Sequence, residues 1–182
     1  MKYLLRIRAN LDDSILGLSS QSGVSLVMPT TRWHVTVLPP FSLQESFGIG
    51  DLFGPLAAEM EDVPRRFAMF DRLKLHQEGR NPTYAISAQA EGGETLPWFT
   101  GLRSACLRVV SPLATSELDL YPPHLTIKTG ISEADSEEMH RQLVEHFEPF
   151  RFFAQTLRVL CRESSGEEWA DVGSLILRGK AA

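Results

Sequence analysis

Two short stretches of this chain hold the residue types that can do chemistry. The first reads Arg32-Trp33-His34-Val35-Thr36-Val37 and continues as Leu38-Pro39-Pro40-Phe41. The second opens with Tyr121-Pro122-Pro123 and runs His124-Leu125-Thr126-Ile127-Lys128. Both are rich in β-branched and aliphatic residues, as strands are. Side chains alternate between the two faces of a strand. His34 and Thr36 therefore share one face, with Arg32 in phase, while Val35 and Val37 point the other way. His124, Thr126 and Lys128 share a face in the same manner, backed by Leu125 and Ile127. An unperturbed imidazole titrates near pH 6.5, so of two such rings one can be neutral and the other protonated. The neutral ring can take a proton from an attacking water or hydroxyl, and the protonated ring can give one to a departing alkoxide. The hydroxyls of Thr36 and Thr126 can donate to non-bridging oxygens, and Arg32 and Lys128 can neutralise charge there. This set of groups suits a phosphate ester and calls for no metal or other cofactor. Which histidine would act as base is left open by the sequence.

A lone His-x-Thr on a strand is commonplace and reads equally as a polar pair on a solvated face. Two copies, each with apolar residues at the intervening positions and each bounded by Pro-Pro, turn the reading toward function. The pattern resembles the 2H phosphoesterase superfamily, which includes bacterial 2'-5' RNA ligase-like proteins and cyclic nucleotide phosphodiesterases. The resemblance rests on His34-Val35-Thr36-Val37 and His124-Leu125-Thr126-Ile127, with the Leu38-Pro39-Pro40-Phe41 tail and the Pro-His start as lesser marks. It implies an α+β fold of two pseudo-symmetric lobes, each an antiparallel sheet with helices packed outside, around a shared central groove. It further implies a hydrolase acting on 2',3'-cyclic phosphates or 2'-5' linkages of a nucleotide or short RNA. His34, Thr36, His124 and Thr126 would be the catalytic residues. Arg32, Lys128 and Tyr121 are candidates for holding substrate, with Tyr121 the choice for stacking on a base. Against this, strand-end cations such as Arg32 and Lys128 are often simply solvated. A non-catalytic RNA- or nucleotide-binding module of the same fold, or an unrelated α+β protein, are the alternative classes.

At 182 residues the chain fits one domain spanning 1–182 and can bury a substantial core. Hydrophobic and charged fractions of 43% and 23% are those of a globular protein. A net charge of −5 excludes a basic nucleic-acid coat protein and favours a short anionic substrate over a long RNA. Cys106 and Cys161 lack metal-ligand spacing and read as buried thiols in a reducing compartment. The N-terminus resembles neither a signal peptide nor a membrane span, so a cytoplasmic protein is expected; a monomer is the separate expectation for its assembly.

The elements that must position the two motifs follow from periodicity. Residues 1–9 alternate as a strand, with Arg6 and Arg8 on the face opposite Tyr3, Leu5 and Ile7. A short helix carries Leu11, Ile15 and Leu18, a loop spans 19–23, and 24–28 is extended. The first motif strand should stop at Pro39-Pro40, because proline cannot donate to a ladder. A helix is expected within 45–60, a hairpin over 66–90, and a helix capped by Thr95 with Pro97 in its first turn. After an irregular stretch and the second motif strand, Ser132 caps a helix with acidic residues in its first turn. Its apolar face carries Met139, Leu143, Val144 and Phe147. A second hairpin covers 152–177. The order strand, helix, hairpin after residue 34 thus recurs after residue 124, an internal duplication.

The remaining histidines, His76 at a strand end and His140 and His146 on a helix, lack partners at ligand spacing, so no metal site is expected. Gly48-Ile49-Gly50 lacks the further glycine and preceding strand of a phosphate-cradling loop.

Overall fold

A computed structural model of the chain describes residues 1–11, 13–26, 33–78, 83–91 and 93–180. In chain order the elements are β1 (Lys2–Arg8), α1 (Asp13–Ser22), β2 (His34–Phe41), α2 (Ile49–Met60), β3 (Arg66–Phe70), β4 (Arg72–Gln77) and β5 (Thr83–Gln89), then α3 (Thr95–Val110), β6 (His124–Ser132), α4 (Glu133–Glu145), β7 (Phe150–Ala154), β8 (Thr156–Arg162) and β9 (Ala170–Ile176).

The strands form two antiparallel sheets, ordered β2-β1-β8-β9 and β4-β5-β6, and a two-stranded ribbon β3-β7. Helices α2 and α3 pack on each other and on the first sheet, and α4 covers the second, with α1 against it. This is the α+β, two-lobed arrangement with helices outside. Apolar strand positions face those helices: Leu5, Ile7, Val35 and Val37 in one lobe, Leu125 and Ile127 in the other, are fully buried. Among the described residues no helix is long and apolar enough to cross a membrane.

The duplicated order is present, β2-α2-β3-β4-β5 matching β6-α4-β7-β8-β9, but both expected hairpins are split. The 66–90 segment breaks at Asp71, and β3 leaves its hairpin to pair with β7. The 152–177 segment breaks at Gln155 in the same way. A sequence-local reading cannot see this, because alternation tells which face a residue takes and not which strand lies beside it. Consequently the lobes are not the two halves of the chain. The C-terminal β8-β9 hairpin completes the N-terminal sheet, with β8 pairing along β1 from Lys2↔Arg162 to Ile7↔Leu157.

Other expectations shift less. Pro39 and Pro40 do not stop the first motif strand, which runs on to Phe41. β2 is an edge strand, where a missing N–H can face away from the ladder, and its register against β1 slips near the prolines. Helix α1 extends through the expected 19–23 loop as far as Ser22. Ser20 and Ser22 donate their hydroxyls back to carbonyls of the preceding turn, and Gly23 then takes a positive φ of 71°. Val24–Leu26 belong to no strand, and the rest of the expected 24–28 segment lies outside the described residues. The N-cap of α3 is Glu94 and not Thr95, whose Oγ1 accepts instead from the Met69 amide at 3.0 Å. Ser132 caps α4 as expected, accepting from the Asp135 amide. On that helix Leu143 is buried but Val144 is exposed, since the helix meets the sheet along a narrower stripe than the sequence suggested.

Candidate active site

The two His-x-Thr stretches become β2 and β6. Each is the edge strand of its own sheet, and the two edges touch across the boundary between lobes. Val35, Val37, Leu125 and Ile127 anchor these strands in the core, which leaves His34, Thr36, His124 and Thr126 half-buried on the opposite faces. From α3, Arg103 Nε donates to the Val37 carbonyl at 2.9 Å and ties down the first strand.

A cavity of about 670 Å³ opens beside β6, lined by His124, Thr126, Tyr121, His76, Lys74 and Gln89 among others. Its size suits a nucleotide-scale ligand. His34 and Thr36 do not line this cavity; they stand on the neighbouring edge of the other sheet. Tyr121 does line it, its ring centroid 5.2 Å from that of His124 with the planes tilted 46°. Burial raises the Tyr121 phenol above its usual pKa, with Arg103 opposing and Asp119 adding, so the hydroxyl stays protonated at neutral pH. Lys128 turns aside: its Nζ donates to the Ser25 carbonyl at 2.7 Å. Arg32 lies outside the described residues.

The hydrogen bonds of the two imidazoles differ in kind. His124 Nδ1 lies 3.0 Å from the Pro122 carbonyl oxygen, which can only accept, so this nitrogen carries a proton. In the neutral ring Nε2 then holds the free lone pair. His34 Nδ1 lies 3.4 Å from Arg6 Nη1, and a guanidinium can only donate. Nδ1 of His34 is therefore the acceptor, and its neutral ring carries the proton on Nε2. One histidine is set up to accept a proton at Nε2 and the other to donate a hydrogen bond from Nε2.

Two further groups belong to this neighbourhood. His76, read from the sequence as a strand-end residue, faces His124 edge-on with centroids 5.9 Å apart. Burial first, and the His124 charge second, hold its pKa below 6.5. Arg6 and Arg8 come from β1, opposite Thr36 and His34 in the β1-β2 register. Their shared face was visible in the alternation of residues 1–9, but their neighbours were not. Among the described residues no group of three or more His, Cys, Asp or Glu is arranged to hold a metal ion. Cys106 is inert, its thiol pushed up to about 12 by burial; Cys161 is only half-buried, contrary to expectation, at the exposed end of β8.

No protein-family model matches the chain, and no curated protein matches its sequence. Solved structures do match over nearly its full length. TT0787 of Thermus thermophilus superposes over 100% of both chains with a TM-score of 0.64 at 14% identity. Escherichia coli LigT complexed with 3'-AMP matches 97% of both chains with a TM-score of 0.53 at 14% identity. Kluyveromyces marxianus Usb1 matches 97% of both chains with a TM-score of 0.56 at 10% identity. The chain has the 2H phosphoesterase fold. At such low identity the likeness is one of fold, and the side chains of the groove are this chain's own.

Proposed function

We propose that this chain is a metal-independent 2H phosphoesterase that acts on 2',3'-cyclic phosphates or 2'-5' linkages of nucleotides or short RNA ends. The observation that carries the reading is the contact between two edge strands, β2 and β6, each bearing an imidazole and a hydroxyl on the face turned from the core. His124, with Nδ1 held by the Pro122 carbonyl, is the general base. His34, with its Nε2–H, donates a hydrogen bond to the leaving or non-bridging oxygen and stabilises the charge that develops there. Thr36 and Thr126 hydrogen-bond the phosphoryl oxygens, and Tyr121 stacks on the base beside His124. Of the two sequence-derived cations, Arg32 is kept as a substrate contact, and Lys128 serves only if it leaves Ser25. LigT was crystallised with 3'-AMP and Usb1 with uridine monophosphate, which supports a nucleotide ligand for this fold. The same reading takes the chain as one domain, a monomer of the cytoplasm.

The test is turnover of a panel of 2',3'-cyclic nucleotides and 2'-5' dinucleotides in the presence of a chelator. Substituting His34→Ala or His124→Ala should each lower kcat by roughly 10²–10⁴ while leaving the melting temperature nearly unchanged. Full activity in either variant would overturn the mechanism. Tight nucleotide binding without turnover by the unmodified protein would favour a binding module instead.

A further inference from the structure

On the same face of the first sheet as Thr36, an unbroken cross-strand row runs Thr36–Arg6–Arg158–Ser174 over β2, β1, β8 and β9. Directly opposed residues on one sheet face are neighbours, so two guanidinium groups follow the first motif in file. Arg8, opposite His34, adds a third. A cavity of about 260 Å³ opens over the Arg158–Ser174 end of this row, with Arg8, Arg158, Thr156, Ser174 and Phe153 in its wall. It is distinct from the larger cavity beside His124.

Its charge is poorly compensated. Asp171 pairs with Arg158 at 2.6 Å, and its other oxygen is taken by the Gly173 amide. Arg6 is only 7% exposed, yet its Nε has no hydrogen-bond partner among the described residues, and neither has the buried Nε of Arg8. Burial chiefly, and the nearby Arg158 charge second, lower the pKa of Arg6, with Asp171 opposing. Buried donors and charges left unpartnered are costly, and a bound oxyanion relieves the cost by accepting from them. Guanidinium suits an oxyanion such as a phosphate because its N–H groups match the oxygens in pairs. Adjacent strands lie about 4.8 Å apart. Such an anion would therefore stand roughly 5–10 Å from Thr36 and His34, the scale of one nucleotide step. Phe153, 42% exposed, offers a ring face at the cavity wall and packs on Phe67 with centroids 5.0 Å apart.

We propose that the Arg8–Arg158 cavity, with Arg6 beside it in the same row, is a second phosphate subsite, which takes the phosphodiester one nucleotide away from the reacting ester and sets the attached base against Phe153. The identity of the substrate rests on the phosphoesterase reading above; the subsite itself rests on the arginine row. The preferred ligand is thus an oligonucleotide end, and a mononucleotide fills only part of the site.

Calorimetric titration of the full chain with a dinucleotide ending in a 2',3'-cyclic phosphate, the matching mononucleotide cyclic phosphate and inorganic phosphate tests this. The dinucleotide should bind roughly tenfold or more tightly than the mononucleotide. Arg8→Gln and Arg158→Gln should each erase most of that preference, in Kd and, where turnover occurs, in the ratio of kcat/KM values. Retention of the melting temperature in either variant separates lost binding from lost folding. Equal affinity of the unmodified protein for the two nucleotides overturns the subsite, even if both are hydrolysed. Inorganic phosphate binding as tightly as the dinucleotide overturns it in favour of a free-anion site. Dinucleotide preference without hydrolysis keeps the subsite and removes the phosphoesterase assignment.

Discussion

His34 and His124 could be picked out by eye because each repeats a local pattern, whereas His76 could not. It sits on β4, and only the pairing β4-β5-β6 sets it against His124, a fact of register between segments far apart in sequence. The same holds for Arg6, whose contact with His34 comes from strand pairing. His76 also has a consequence for stability. Burial, His124 and Lys74 disfavour its charged form, and Glu78 and the Lys74 backbone oppose them less strongly. Its folded pKa therefore lies below the unfolded value of 6.5. Between those two values the unfolded chain binds more protons, so stability rises with pH there. The contribution is favourable above about pH 6.5 and is lost as pH falls from there toward the folded pKa. Melting temperatures measured from pH 7.5 down to pH 5 should fall less steeply for His76→Gln than for the unmodified protein. Parallel curves would contradict this account of His76.

Strands and helices were legible where the signal is local: the alternation of β1, the cap and acidic first turn of α4, the apolar stripe of α3 through Trp98, Leu102 and Cys106. They were illegible where a partner decides. Prolines end a strand in the middle of a sheet, but Pro39 and Pro40 sit on an edge and do not. The breaks at Asp71 and Gln155 serve an exchange of strands that alternation cannot encode. Close approaches of backbone to backbone belong to the same class. Gly179 bridges to Pro64, and its amide donates to the Val63 carbonyl at 3.0 Å. A Cβ there would lie 2.4 Å from the Asp62 carbonyl oxygen, which a rigid backbone cannot yield. Gly101, exposed in the middle of α3, has open space where its Cβ would stand. Gly179→Ala should therefore cost about 1–3 kcal/mol, and Gly101→Ala should gain about 0.5–1 kcal/mol. Urea unfolding midpoints of the two variants, moving in opposite directions, would check both.

At the level of the molecule, the exchange of β3 and β7 makes the two lobes one mechanical object. β3 follows α2 of the first lobe and leads into β4 of the second; β7 follows α4 of the second and leads into β8 of the first. The ribbon they form is the joint, and its inner face is aromatic. Phe70 stacks on Phe150 and Phe152 at centroid distances of 5.7 and 5.8 Å and meets Phe99 of α3 edge-on at 6.4 Å. Phe70 and Ala68 are fully buried. A groove whose two imidazoles come from different sheets needs such a joint, since a shift of about 1 Å between them can cost two orders of magnitude in rate. Neither sheet can unfold while the other keeps its full complement of neighbours, because the first sheet includes a hairpin that the chain reaches only after building the second. Native-state hydrogen exchange should thus report the same opening free energy for slow amides of β1 and β8 as for those of β5. Phe70→Ala, which removes the centre of the joint, should lower both values together by about 3–5 kcal/mol. If the β5 amides alone became labile, the lobes would be independent units, and the precision of the groove would have to come from elsewhere.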